Sequence, residues 1–211
     1  MLLQRTPEWY ACRLGKATAS RIADVVARTK SGFSTSRANY AAELICERLT
    51  GVPASGYVSP AMQWGTDHED EAKALYADRL GMLVEEACFI DHPEIAWSGA
   101  SPDGYVAGDG LVEVKCPLTA THVDTLLGAE IAGAYQTQMQ WQMACSGRLW
   151  CDYVSYDPRL PPRMQLYVKR VPRDLSRILE LEAEVTTFLQ EIADRTAKLA
   201  QLYGRSEDEA A

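Results

Sequence analysis

Residues 101–117 read SPDGYVAGDGLVEVKCP, two short apolar-alternating runs around an Asp109-Gly110 pair. Asp-Gly between such runs is the strongest short-range signal for a β-hairpin. Side chains alternate along a strand, so Leu111, Glu113 and Lys115 share one face and Val112, Val114 and Cys116 the other. The valine face reads as core. The opposite face carries a carboxylate and an ammonium two positions apart, and the hairpin brings Asp103 toward them. Taken alone, Glu-x-Lys on a strand is an ordinary exposed ion pair; buried, the same charges need partners or a cation. Two carboxylates are hard donors of the kind that hold Mg2+, and an adjacent lysine can orient a water or steady a phosphorane-like transition state. The combination points to metal-dependent hydrolysis of a phosphodiester.

Around this stretch the hydrophobic period changes twice. Thr6-Pro7-Glu8 has the form of an N-cap followed by proline, opening a short helix to about Gly15. Thr18-Ala19-Ser20 starts a second, with Ile22, Val25 and Val26 on one face, and TKSGFSTS (29–36) follows as a polar loop. A third helix spans 37–50 with Tyr40, Leu44, Ile45 and Leu49 inward, ended by Gly51. After a loop at 51–60, residues 67–80 are helical, with Ala72, Leu75, Tyr76 and Leu80 inward. Strands are expected near 87–91, 95–99, 103–107 and 111–116, a helix over 130–146, and strands at 149–156 and 163–171 joined by DPRLPP. Apolar residues at helical steps from Asp174 to Tyr203 give a long amphipathic helix, and the final SEDEAA is expected to fray. Helices, a strand meander, a crossover helix and further strands predict an α/β fold with a mixed central sheet. One domain over 1–211 is expected, with a helical N-terminal region over 1–80, a sheet core over 85–171 and a C-terminal helix over 174–203.

Six cysteines are scattered without a C-x-x-C pair, which argues against a disulfide framework or a zinc ribbon. The opening MLLQRT is not a signal peptide and no apolar run reaches transmembrane length, so a cytoplasmic protein with no membrane partner is expected. The three histidines show no ligand spacing. Net charge is −8, yet residues 1–60 hold eight Lys/Arg against four Asp/Glu, and the remainder thirteen against twenty-five. A solvated mixed surface explains this as well as a basic face for nucleic acid does.

Pro102-Asp103, then Glu113-Val114-Lys115 ten residues on, resembles the PD-(D/E)xK nuclease signature. The wider chain resembles the phage lambda exonuclease group, the YqaJ-type viral recombinases. EWYACRLGKATAS (8–20) is similar to that family's W-x-x-x-R-x-G-x-x-T-A-S segment, and Trp64-Gly65 with Glu69 to its W-G-x-x-x-E. Ser101-Pro102-Asp103-Gly104 and Glu113-Val114-Lys115-Cys116-Pro117 resemble its core. Tyr135-x-x-Gln138-x-Gln140 and Tyr156-Asp157-Pro158-Arg159 resemble later segments.

The resemblance implies a restriction-endonuclease-like core and a Mg2+-dependent exonuclease, with Mn2+ as a substitute and two ions per active site. It would digest one strand of linear duplex DNA 5′→3′ from 5′-phosphorylated ends, leaving 3′ single strands for annealing. Asp103, Glu113 and the Val114 carbonyl would hold metal, Lys115 would position water, and Glu69 and Gln138 would complete the site. Arg13, Ser20 and Ser101 would hold the terminal 5′-phosphate. Met62 occupies the position of an apolar wedge, and Arg28 and Lys30 would face duplex. A ring-shaped homotrimer and a single-strand annealing partner are implied as well. The chain departs from the family at Phe33, Ser34 and Thr121, where basic residues are usual, so a shallower salt dependence of duplex binding is expected. A catalytically silent binding module and a PD-(D/E)xK endonuclease stand as the two alternative readings.

Overall fold

A computed structural model describes residues 4–54 and 59–204. Its centre is a five-stranded sheet in the order β10 (Leu166–Pro172), β9 (Trp150–Tyr156), β8 (Gly110–Lys115), β7 (Gly104–Val106), β4 (Val84–Glu85). Strands β8 and β9 run parallel and every other neighbour pair is antiparallel, which makes the sheet mixed, as the pattern predicts. A parallel pair needs a long crossover. Here it contains α5 (Thr119–Leu126), which the sequence pattern did not reveal, and α6 (Gly133–Ser146). A smaller sheet joins β1 (Ala17–Thr18), β6 (Ser98–Ala100) and β5 (Ile90–Asp91).

The expected hairpin forms, but Asp109-Gly110 is not its two-residue turn. Val106 pairs with Gly110, so the loop is Ala107-Gly108-Asp109, with Ala107 taking the left-handed conformation at φ +52°. Trp150 explains the shift. Its indole N–H donates to Asp109 Oδ1 at 3.0 Å, and a Cβ on Gly110 would lie 2.2 Å from its ring. The pair therefore serves cross-strand packing, and the turn moves one residue back.

Both faces of β8 are covered. Helix α4 (Pro60–Leu80) lays Ala72 and Tyr76 against Val112, Val114 and Cys116. Helix α6 lays Met139 and Met143 against Leu111, with Cys151 and Tyr153 of β9. Helix α4 starts seven residues earlier than its periodicity suggests, because Ser59 caps it, accepting from Met62 N–H, and Pro60 opens it. Met62 is thus part of the first turn of α4. Leu80, expected inward, is exposed, as is Leu49 at the end of α3 (Thr35–Thr50), since each sits in a last turn that overshoots the core.

A third core packs the N-terminal helices on α7 (Leu175–Tyr203). Ile22 and Val25 of α2 (Ile22–Val26) and Tyr40 and Leu44 of α3 meet Leu181, Val185, Phe188 and Ile192. Asp174 caps α7 by accepting from Arg177 N–H. Beyond Ile192 the stripe is unsupported, and Leu199 and Leu202 are exposed. The expected loop 29–36 is in part a hairpin: β2 (Arg28–Thr29) pairs with β3 (Gly32–Phe33), and from Thr35 the segment belongs to α3. Phe33 packs beneath the guanidinium groups of Arg28 and Arg37, at 4.2 and 4.0 Å. The SEDEAA tail and residues 55–58 of the expected loop lie outside the described residues. No helix among the described residues is long and apolar enough to cross a membrane.

Gly110→Ala should destabilise the protein by about 1–3 kcal/mol through overpacking on Trp150. Calorimetry should show a melting temperature lowered by roughly 2–12 °C. Combining it with Trp150→Leu should return part of that loss; an additive double mutant would mean that the glycine serves backbone conformation instead.

Candidate active site

The hairpin register sets the centre of the site. Gly104 pairs with Val112, so one step outward Asp103 stands opposite Glu113. Asp103 Oδ2 accepts the Val114 backbone N–H at 2.7 Å, replacing a ladder bond with a carboxylate. Glu113 is 1% exposed and its two oxygens take three donors. Lys115 Nζ and Gln138 Nε2 (2.6 Å) donate to Oε1, and Gln142 Nε2 (2.5 Å) donates to Oε2. Gln138 and Gln142 lie one turn apart on α6, where an i, i+4 spacing stacks side chains on one face. Gln142 Oε1 is buried without a partner among the described residues, so the amide orientation is dictated by Glu113, which can only accept.

The electrostatics describe a site built for positive charge. Burial, then the neighbouring Glu113 and Glu69 carboxylates, push Asp103 well above the usual carboxylate range. Burial alone would lower the Lys115 ammonium; Glu113 and Asp103 overcome it and hold its pKa above the ordinary value. Burial pushes the neighbouring Cys116 thiol up to about 12, which removes it as a nucleophile at neutral pH.

These groups open on a cleft of about 480 Å3 that also meets Glu69 and Met62 from α4. Glu69 lines the cleft close enough to raise the proton affinity of Asp103. It forms ion pairs with Arg5 and, at 3.2 Å, with Lys73. Met62 is 59% exposed at the mouth. Among the described residues no three His, Cys, Asp or Glu side chains converge as a closed metal cage. A cation here would draw Asp103, Glu113 and the Val114 carbonyl from the chain and complete its shell with water and phosphate oxygens. That donor set fits Mg2+ and does not fit structural zinc.

A second, smaller pocket of about 160 Å3 brings together Arg13, Ser20 and Ser101. Arg13 comes from α1 (Pro7–Arg13), where Thr6 caps by accepting from Trp9 N–H at 3.3 Å. Ser101 Oγ accepts from Arg13 Nη1 at 3.0 Å and from Trp9 Nε1 at 3.1 Å, and the guanidinium lies 4.2 Å from the Trp9 ring centroid. Burial depresses the Arg13 pKa, an effect its tyrosine and Glu47 neighbours oppose. Ser20 sits inside a 3-10 turn (Ala19–Arg21) rather than at the N-cap of α2.

Arg28 and Lys30 lie away from both cavities. Arg28 is ion-paired with Glu184 of α7, and Lys30 is exposed at the tip of the β2–β3 hairpin. The basic excess of residues 1–60 is therefore not all free to meet DNA. Lys16 pairs with Asp91, Arg21 with Asp24 and Glu43, and buried Arg37 forms a fork with Glu191 at 2.7 and 3.0 Å.

Two glutamines of α6 take roles that sequence alone does not assign. Gln142 lies outside the matched segments, and only its i+4 relation to Gln138 could have drawn attention to it. Gln140, inside the matched motif, is directed elsewhere: its side chain bonds Pro172 O and Asp174 N and ties α6 to the start of α7.

A mixed sheet that presents two carboxylates and a lysine to a cleft defines a nuclease-type core of the restriction-endonuclease-like class. The chain matches the YqaJ-like viral recombinase domain over residues 8–149, and it belongs to that family. It is similar to the crystal structure of an alkaline exonuclease (LHK-Exo) from Laribacter hongkongensis, with 50% identity and a TM-score of 0.86 over 93% of this chain and 97% of that one. The same enzyme in complex with dAMP gives a TM-score of 0.87 at 50% identity, with the same coverage of both chains. A phage-related exonuclease from Haemophilus somnus 129PT shares the fold at 17% identity, with a TM-score of 0.68 over 87% of this chain and 95% of that one. No curated protein matches the chain.

Asp103→Asn should raise the melting temperature of chelator-treated protein at pH 8. The folded pKa of Asp103 lies above the unfolded one, so the folded state keeps a proton that the unfolded chain releases. The associated stability is present below the unfolded pKa and is lost as pH rises through the folded one. The gap between variant and wild type should accordingly close near pH 4. A variant less stable than wild type at pH 8 would refute this electrostatic account.

Proposed function

We propose that this protein is a Mg2+-dependent exonuclease that digests one strand of linear duplex DNA 5′→3′ from 5′-phosphorylated ends, with Mn2+ as a substitute. One observation carries the reading. The cleft of Asp103, Glu113 and Lys115 and the pocket of Arg13 and Ser101 adjoin, meeting at Gln138 and Arg5. A scissile phosphodiester and a terminal phosphate can then be held at once by two regions of one surface. The 50% identity to an alkaline exonuclease, and that enzyme's complex with dAMP, support the same substrate class.

Mg2+, two ions per site as the family implies, would be held by Asp103, Glu113 and the Val114 carbonyl and would supply a water of lowered pKa and neutralise charge on the phosphate. The chain's own residues hold and orient. Asp103 and Glu113 present oxygens whose positions are locked by Val114 N–H, Gln138 and Gln142. Lys115 keeps its proton and aims a cation at the carboxylate pair, where it can orient the attacking water. Arg13, stacked on Trp9 and hydrogen-bonded to Ser101, offers a bidentate fork to the terminal phosphate. A ring of three subunits, and a single-strand annealing protein that receives the 3′ strand, belong to the same reading through the family.

A catalytically silent module is the weaker reading, because Asp103, Glu113, Lys115 and Gln138 form one hydrogen-bonded and charged cluster instead of being dispersed. The deciding experiment incubates the protein with linear and with covalently closed duplex DNA, with and without Mg2+. Digestion of the linear form only, and only with Mg2+, is expected; nicking of closed circles would favour an endonuclease, and no digestion would favour the silent module. Glu113→Ala and Lys115→Ala should each abolish digestion, with the double mutant no worse than either. Arg13→Ala should slow 5′-phosphorylated ends far more than 5′-hydroxyl ends. Equal slowing of both would assign Arg13 to packing on Trp9.

A further inference from the structure

The two cavities share only two side chains, Gln138 and Arg5. Gln138 is engaged with Glu113. Arg5 is the one cation among the described residues that lines both, since Lys115 belongs to the cleft alone and Arg13 is absent from its lining.

Its backbone is unusual. Arg5 has φ +66°, a left-handed conformation that glycine adopts freely and that residues bearing a Cβ disfavour. Both neighbours are pinned. Gln4 Nε2 donates to Ala87 O at 3.1 Å and to Pro102 O at 2.7 Å, directly beside Asp103. Thr6 caps α1. The bend at residue 5 is therefore imposed by the fold, and a glycine would make it without strain. An arginine held there points to use of its side chain. That side chain is half exposed and ends on Glu69, which Lys73 also neutralises at 3.2 Å. Glu69 does not depend on Arg5 for a counter-charge, so the pair can exchange.

We propose that Arg5 is a phosphate-binding residue: it releases Glu69 and grips phosphate oxygens of the terminal nucleotide, whose two phosphates lie in the two cavities that Arg5 lines. This rests on the proposed exonuclease reading. When a terminal phosphate sits at Arg13 and the first phosphodiester at Asp103 and Glu113, one sugar joins them and residue 5 borders both phosphates. A guanidinium there can fork two phosphate oxygens, which Glu69 alone cannot attract. The swap also leaves Glu69 held by Lys73 only, free to turn toward the cleft.

The test measures binding of a 5′-phosphorylated linear duplex in EDTA, by fluorescence anisotropy over a range of salt, and digestion in Mg2+. The proteins are wild type, Arg5→Gly, Arg5→Gln, Glu69→Gln and Arg5→Gly with Glu69→Gln. Arg5→Gly should fold with a melting temperature at or above wild type, because it removes the backbone strain. It should bind the duplex on the order of tenfold more weakly, with a salt slope smaller by about 0.9, one phosphate contact. Arg5→Gln, which keeps length without charge, should share the loss. The loss should persist in the Glu69→Gln background. Wild-type affinity and salt slope in both Arg5 variants would overturn the proposal. So would a loss that vanishes when Glu69 is already neutral, since Arg5 would then act only through Glu69. If wild type fails to digest linear DNA in Mg2+, the parent reading falls, while the EDTA binding series still decides the role of Arg5.

Discussion

The structure is organised around one buried carboxylate. Glu113 sits in a strand covered on both faces, where an ionised group costs several kcal/mol unless it is fully hydrogen-bonded. Three donors meet that need, and they come from different places in the chain: Lys115 from the same strand, Gln138 and Gln142 from the crossover helix. The parallel pairing of β8 with β9 is what makes a crossover helix available above this face. Removing any donor would leave the charge under-satisfied, so α6 is bound to the sheet by polar as well as apolar contacts. The same arrangement fixes the carboxylate rotamer, and a fixed carboxylate is what precise placement of a cation or water demands.

Asp103 is stabilised differently. Among the described residues it has one backbone donor, no direct side-chain donor, and two carboxylate neighbours, and its proton affinity rises accordingly. The two acids therefore stand in unlike environments although they face each other across one register position. A lysine with a raised pKa beside them keeps a permanent positive charge at the floor of the cleft.

The N-terminal segment does two jobs. Its first stretch, Gln4 to Ser20, reaches over the edge of the core and supplies the Arg13–Ser101 pocket and Arg5. Its second stretch is bonded to α7 through Arg37–Glu191, Arg28–Glu184 and a shared apolar core. Acidic residues on α7 thereby neutralise the arginines that composition alone would offer to DNA. The +4 balance of the first sixty residues therefore overstates the positive charge that this segment leaves unpaired.

Much of the site was legible because its chemistry is local in sequence. Asp103, Glu113 and Lys115 belong to one hairpin, whose alternation and turn signals place them together. Arg13, Ser20 and Ser101 were legible only as a motif, since nothing in spacing says that residues 13 and 101 touch. The turn of the hairpin moved because Trp150, forty residues on, needs the space over Gly110, and a distant packing contact outweighed local turn preference. Helix α5 was missed because its TATHVDTL carries no clear apolar stripe. By itself the sequence determined most element types, the mixed α/β class and the grouping of two carboxylates with a lysine on one hairpin, all of which follow from backbone periodicity and side-chain identity. Only the tertiary structure decided that Gln142 braces Glu113, that Gln140 does not, that Arg28 and Arg37 face acids of α7, and that Arg5 joins two cavities. Those outcomes are pairings between residues 29 to 156 positions apart, and they depend on which surfaces the folded chain brings into contact.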